Sequence, residues 1–166
     1  MNDATPSGET LPFAVVILAG RASGGDRARV TEMVQTARTV GAHAIVVVVP
    51  RGWRSPPQSR VVHVAPGASA INGVRGGMAQ LTNTPARHAL LWPLEASSAG
   101  VDRLRTLVTE AHRQHAALSA IDGDDLDRSP VMIARDAWLD LMTLGEQGME
   151  AVAARCGIAR IAGGAT

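Results

Sequence analysis

The sequence predicts an α/β protein: a three-layer, Rossmann-like sandwich with a mostly parallel sheet and helices on both faces. Short runs of continuous apolar residues, without polar alternation, are typical of parallel strands buried on both faces. These runs alternate along the chain with segments whose apolar residues recur at helical spacing. The 166 residues, 46% hydrophobic and 19% charged, suffice for a substantial buried core.

The first predicted unit is a strand-loop-helix-strand crossover. The apolar strand 13–19 is followed by a loop of small residues, 20–25, and by a helix that runs from Val30 to Val40 and stops at Gly41. Residues 44–49 form a second apolar strand. Such crossovers are parallel and right-handed in nearly all known cases, so the two strands are expected to share one sheet.

The rest of the chain continues the alternation. Beyond a proline-rich loop, the predicted strands are 61–64, 88–92, 117–121 and 131–134. The predicted helices are marked by Val74, Met78 and Leu81, by the apolar residues from 101 to 111, and by segments 137–144 and 147–154. We expect residues 1–11 to be a disordered lead-in and residues 12–166 to form a single domain.

Composition excludes several classes of function. The net charge of +1 argues against nucleic-acid binding, and no run approaches the roughly 18 apolar residues of a membrane span. The polar N-terminus lacks a secretion signal, so a cytoplasmic location is expected. One cysteine, Cys156, excludes an intramolecular disulfide, and the complete absence of lysine excludes Schiff-base chemistry.

The first candidate site follows the first strand, because ligands of open parallel sheets bind beyond the carboxyl ends of the strands. Its glycines would allow close backbone approach, helix N-terminal amides attract phosphate, and arginines bind it bidentately. The residues are Gly20, Arg21, Gly24, Gly25, Arg27 and Arg29. Two alternatives stay open: a glycine-rich turn required only sterically, and a reductase-like NAD(P) site.

Acidic residues supply two further candidates. Glu95 follows a buried strand, where a carboxylate often holds Mg²⁺, although it could equally cap or solvate the loop. Residues 122–127 carry four carboxylates without EF-hand spacing, and we interpret them as a solvated loop. His112 and His115 lie three apart on one helix, but no third ligand is evident nearby, so we interpret them as surface residues.

Six segments, in the correct order, resemble the MobA-like NTP transferases, which include molybdenum-cofactor guanylyl- and cytidylyltransferases. The segments are Val16–Gly20 (opening strand and LAGG loop), Val34–Val49, Gly73–Leu81 (S-L-R-x-G-L), Ala89–Glu95, Ser129–Arg135 (G-H-P-V-x-x-x-R) and Gly145–Gly148 (G-D-x-G). The resemblance covers most of the chain. It implies a nucleotide-diphospho-sugar transferase-like fold and transfer of a nucleotidyl group from an NTP to a phosphorylated or cofactor-like acceptor, releasing pyrophosphate.

The resemblance also implies roles for individual residues. Ala19, Gly20, Arg21, Gly24 and Gly25 correspond to the loop that wraps the triphosphate. Asn72 and Arg75 belong to the segment beside the base and ribose. Arg27 and Arg29 would replace the catalytic lysine, and Glu95 would hold Mg²⁺ in place of an aspartate.

The departures from the family pattern affect the residues that would carry out the reaction. The loop has neither R-M-G nor lysine, the second strand arrives about a dozen residues early, and Glu95 is one methylene longer than the aspartate. Nucleotidyl transfer depends mainly on positioning and charge neutralisation. The sequence thus indicates a divergent relative with degenerate motifs: a nucleotidyltransferase of weakened or lost activity or, alternatively, a non-catalytic protein that binds a nucleotide or a protein partner. A small NAD(P)-binding reductase is the third hypothesis.

Overall fold

The computed structural model describes residues 11–163, except for the side chains at positions 144 and 145. Seven strands and five helices follow one another in the order β1 (Phe13–Leu18), α1 (Arg27–Val40), β2 (Ala44–Pro50), β3 (Arg60–Val64), α2 (Ala70–Ala79), β4 (His88–Pro93), α3 (Val101–Gln114), β5 (Leu118–Ile121), β6 (Val131–Ala134), α4 (Trp138–Leu144), α5 (Met149–Cys156) and β7 (Ile158–Ile161).

The strands form one sheet in the order β3-β2-β1-β4-β6-β5-β7. The β1–β2, β1–β4, β2–β3 and β5–β7 pairs are parallel, whereas β6 runs antiparallel to both of its neighbours. Every strand except β6 therefore ends at the same edge of the sheet. This edge collects the loops that follow β1, β3 and β4.

Helices cover both faces of the sheet, and this confirms the predicted three-layer α/β architecture. Val15 and Ile17 of β1 belong to a buried cluster with α1 and α3. Ala14 and Val16 point the other way, into a cluster with α2, α4 and α5. The unbroken apolar runs of the central strands are thus explained by burial on both faces.

Most predicted elements lie within a few residues of the observed ones. The helix marked by Leu81 ends earlier, at Ala79, although Leu81 itself is fully buried. Strand β7 was missed because it is four residues long and is only partly buried, with Arg160 exposed. Apart from Leu11, the predicted lead-in lies outside the described residues. Within residues 11–163, no helix has both the length and the apolarity needed to cross a bilayer.

Candidate nucleotide-binding cleft

A cleft of about 310 Å³ lies at the carboxyl edge of the sheet, where the loop after β1, the start of α2 and the end of β4 meet. Its volume is in the range of small-molecule sites. Val48 and Val64, from the neighbouring strands β2 and β3, form part of its apolar wall. Five of the predicted site residues line it: Ala19, Gly20, Arg21, Arg29 and Glu95.

The turn after β1 is held to the sheet by its backbone. The amide of Ala19 donates to the carbonyl of Val48 at 2.9 Å, and that of Ala22 donates back to Ala19 at 3.1 Å. A methyl group at Gly20 would lie 3.0 Å from Cγ2 of Val64. At Gly20 the backbone therefore comes close to Val64 of the cleft wall, and a side chain there would be crowded.

The three loop arginines have different surroundings. Arg21 and Arg29 both line the cleft, and Arg29 forms an ion pair of 3.6 Å with Asp26. The guanidinium of Arg27 instead lies over the ring of Trp53, 5.1 Å from its centroid, and does not line the cleft. Gly24 and Gly25 are exposed, in the turn that leads into α1, and also lie outside the cleft lining.

Asp26 is a cleft residue that the sequence interpretation missed. Its carboxylate accepts hydrogen bonds from the backbone amide of Ser23, at 2.9 Å, and from the Ser23 hydroxyl, at 3.2 Å. The backbone bond lowers the pKa of Asp26, with smaller contributions from the Ser23 hydroxyl and Arg29. The S-x-x-D spacing of Ser23 and Asp26 is a helix-start pattern that could have identified it. This carboxylate already pairs with Arg29, so an anion bound at Arg29 would have to share that guanidinium with it.

Two further carboxylates, those of Glu95 and Asp127, line the cleft. Glu95 stands in a short 3₁₀ turn directly after β4, as the sequence predicted. Asp127, predicted to be part of a solvated loop, is held by α5, whose Met149 amide donates to its Oδ1 at 3.0 Å. The cleft lining thus holds three carboxylates, including Asp26, and the two guanidinium groups of Arg21 and Arg29.

The remainder of the acidic loop has a structural role. Arg103 donates to both carboxylate oxygens of Asp124 at 2.7 Å, and Arg160 of β7 donates to the Asp124 carbonyl at 3.0 Å. In the described part of the chain, no three His, Cys, Asp or Glu side chains are arranged to hold a metal ion. A cation in the cleft would therefore need water or ligand oxygens to complete its coordination.

The start of α2 forms one wall of the cleft through Ser69, Ala70 and Gly73. Ser69 was not among the predicted site residues. Asn72 is exposed and does not line the cleft. Arg75 is directed toward α4, where its Nε donates to the Met142 carbonyl at 3.1 Å. Neither of these two predicted nucleotide contacts lines the cleft in this structure.

The interpretation of His112 as a surface residue is wrong. Its ring nitrogens are buried, and its ring lies edge-on to that of His88 with the centroids 4.6 Å apart. Local sequence could not have shown this burial, because His88 begins β4 and approaches α3 only when the helix packs on the sheet. His115 is exposed, as predicted.

No family model and no curated protein matches this sequence. Its fold, however, is similar to that of known structures. Rv0371c from Mycobacterium tuberculosis H37Rv matches with a TM-score of 0.72 and 16% identity, over 92% of this chain and 87% of that one. The complex of Rv0371c with manganese matches with a TM-score of 0.70 and 17% identity, over 92% and 88%. A 4-diphosphocytidyl-2C-methyl-D-erythritol synthase has a TM-score of 0.69 and 16% identity, over 91% and 87%.

The fold is nucleotide-diphospho-sugar transferase-like. At these identities the likeness establishes the architecture alone. The nucleotidyltransferase-like resemblance of the sequence, and with it the MobA-like branch, stays a prediction.

Proposed function

We propose that this chain binds a nucleoside triphosphate in the cleft and transfers its nucleotidyl group to an acceptor, with weakened activity relative to the family it resembles. The observation that carries the proposal is the convergence of Gly20, Arg21, Arg29 and Glu95 on one cleft at the carboxyl edge of the sheet. The fold neighbours include a synthase whose name describes a diphosphocytidyl product. The six ordered sequence segments support a MobA-like relative.

In the proposed complex the loop after β1 carries the triphosphate. Gly20 lets the backbone approach it, while Arg21 and Arg29 bind and orient its oxygens. The acceptor oxygen bonds to the α-phosphorus as the bond to the pyrophosphate oxygen breaks, and pyrophosphate leaves. The transition state is stabilised mainly by alignment of the reacting groups and by neutralisation of the phosphate charge. Few protein groups are therefore needed.

Glu95 and Asp127 are the residues that would hold a divalent cation in this cleft. Mg²⁺ is commonly bound by one or two carboxylates, with waters and substrate phosphates completing its coordination, and two cleft carboxylates fit this pattern. When bound, such a cation would neutralise phosphate oxygens. The manganese complex of Rv0371c is consistent with a divalent ion, although it describes that protein only.

A non-catalytic nucleotide-binding protein is the second candidate. Two observations favour it: Arg27 is on Trp53 rather than in the cleft, and Arg29 is paired with Asp26. The reductase hypothesis is disfavoured by topology. Dinucleotide-binding folds order their strands 3-2-1-4-5-6, whereas antiparallel β6 lies between β4 and β5 here.

Titration with GTP, CTP, ATP and UTP, with and without Mg²⁺, tests the proposal by calorimetry and thermal unfolding. We expect one nucleotide to stabilise the fold in a Mg²⁺-dependent manner, because ligand binding to the native state raises its stability. Glu95→Gln should remove the Mg²⁺-dependent part. Glu32→Gln, which changes an exposed carboxylate on α1, is the matched control.

Each outcome of this titration discriminates between the candidates. Preference for GTP would support the guanylyltransferase branch of the MobA-like resemblance. Binding that is independent of Mg²⁺ would favour the non-catalytic candidate. Stabilisation by none of the four nucleotides at millimolar concentration would contradict both.

A further inference from the structure

We infer that a second cavity, which opens beside the nucleotide cleft, binds an acceptor alcohol with an uncharged, apolar body rather than a phosphorylated acceptor. The cavity measures about 620 Å³ and shares five wall residues with the cleft: Leu18, Ser69, Ala70, Pro93 and Asp127. A molecule in it would therefore reach the cleft along this shared wall. The acceptor role of the cavity rests on the proposed nucleotidyl transfer. The preference of the cavity for an uncharged alcohol can be tested even if no such transfer takes place.

The body of the cavity is apolar. It lies between α2, the strands β4 and β6, and α4, and its buried lining includes Ile71, Val74, Leu91, Leu126, Val131 and Leu141. All of them except Leu126, which stands in the loop between β5 and β6, belong to helices or strands packed into the core. Burial of an apolar ligand surface against them would supply the main part of the binding energy.

The only charged side chains that line the cavity, within the described part of the chain, are the carboxylates of Asp127 and Glu146. A phosphate monoester carries a charge of roughly −1.5 to −2 at neutral pH. Proteins bind such groups with arginine, lysine or free helix N-terminal amides. No arginine, lysine or histidine lines this cavity over the described residues.

The two nearby groups that could bind phosphate are already engaged. Arg75 donates through Nε to the Met142 carbonyl at 3.1 Å, and its other nitrogen lies 3.4 Å from Glu146. At the start of α5, the amide of Met149 donates to Asp127, so a carboxylate takes the place that an anionic ligand would occupy. The Met149 amide is thus already used by a carboxylate, and Arg75 is held by α4 and Glu146 outside the cavity lining.

Hydroxyl-binding groups, by contrast, are present on the wall shared with the cleft. Ser69 and Asp127 stand on it, and Ser129 and Gln147 line the second cavity only. A hydroxyl that donates to Asp127 would sit at the boundary of the two cavities. In the transfer its oxygen would bond to the α-phosphorus of the NTP, pyrophosphate would leave with the broken P–O bond, and the hydroxyl proton would pass to water.

The test compares matched alcohols and phosphate monoesters on the full chain: geraniol with geranyl phosphate, and 2-phenylethanol with its phosphate. We expect calorimetry to show at least tenfold tighter binding of an alcohol than of its phosphate. Val74→Phe, which fills the cavity, should abolish alcohol binding. Val101→Phe, which changes a half-buried residue of α3 outside both cavities, should leave it unchanged.

A charge variant gives a second readout. Glu146→Arg should raise the affinity for the phosphate monoester at least tenfold with little effect on the alcohol. The matched control is Glu150→Arg, on α5 and outside the cavity lining. Equal or tighter binding of the phosphate by the unaltered chain, or binding of neither alcohol, would overturn the inference. Nucleotide binding is measured in parallel, so alcohol binding without any nucleotide effect would count against the proposed function alone.

Discussion

At the scale of single residues, the loop after β1 shows how neighbours in sequence take different roles. Arg27 and Arg29 are two positions apart at the start of α1, so their side chains leave the helix in different directions. Arg29 faces the cleft beside Asp26, whereas Arg27 covers Trp53 in a cation–π contact. Of the two predicted catalytic arginines, only Arg29 lines the cleft.

This difference predicts different effects of removing each arginine. Arg29→Ala should weaken nucleotide binding roughly tenfold or more, because a charge-assisted hydrogen bond is worth about 1.5–3 kcal/mol. Arg27→Ala should change nucleotide affinity less than twofold and only slightly lower the unfolding temperature. Calorimetric titration of the two variants checks this. Equal losses in both would mean that Arg27 leaves Trp53 to reach the ligand.

At the scale of elements, helix α2 lies unusually close to the sheet. Three glycines on one side of it, Gly73, Gly76 and Gly77, face strand valines. Methyl groups on the first two would approach Cγ1 of Val48 and Cγ1 of Val62 to 3.0 and 2.9 Å. The close contact brings the start of the helix, with Ser69, to the boundary between the two cavities. The spacing of these glycines is thus a sequence feature that influences where Ser69 lies relative to the two cavities.

Gly77→Ala should destabilise the protein through this contact. The added methyl group would lie 2.5 Å from Cγ1 of Val16 and 3.3 Å from Cγ2 of Val48. Overpacking costs about 1–3 kcal/mol, and the gain of up to about 1 kcal/mol in helix propensity offsets only part of it. Urea unfolding measures the difference. Gly24→Ala, where a methyl group meets nothing within 4 Å, is the control, and stability equal to this control would refute the prediction.

At the scale of the whole molecule, β4 runs from a buried histidine pair at its amino end to the cleft at its carboxyl end. Its carboxyl end carries Glu95 into the cleft, while its first residue, His88, packs against His112 of α3. His88 is only 6% exposed, and none of the four nitrogens of the two rings has a hydrogen-bond partner in the described structure. Burial, with smaller contributions from the nearby His112 and His115, lowers the pKa of His88 to about 4.

The stability of the fold should therefore fall as the pH drops from about 6.5 to 4. In this range the unfolded chain protonates His88 while the folded chain does not, so protons favour unfolding at up to about 1.4 kcal/mol per pH unit. Above pH 6.5 the contribution of this histidine is constant. Urea unfolding across the range should show a shallower pH dependence for His88→Leu. The exposed His43→Leu is the control, and identical slopes in all three proteins would contradict this account.

The sequence alone predicted the alternation of buried strands and helices, and hence the three-layer sandwich, because burial on both faces and helical spacing are encoded locally. It also predicted Gly20 and Glu95 as cleft residues, since each directly follows a buried strand. A strand that ends at the carboxyl edge fixes where the next few residues lie. These predictions needed no knowledge of distant contacts.

Only the tertiary structure decided which other residues join the cleft. Asp127 reaches it because α5, distant in sequence, binds its carboxylate, and Arg27 is excluded because Trp53 of another loop lies beneath it. Arg75 is drawn to α4, and His112 is buried by β4. In each case the position of a side chain depends on a partner far along the chain. Local sequence does not specify such pairings, so the architecture was predictable where the composition of the site was not.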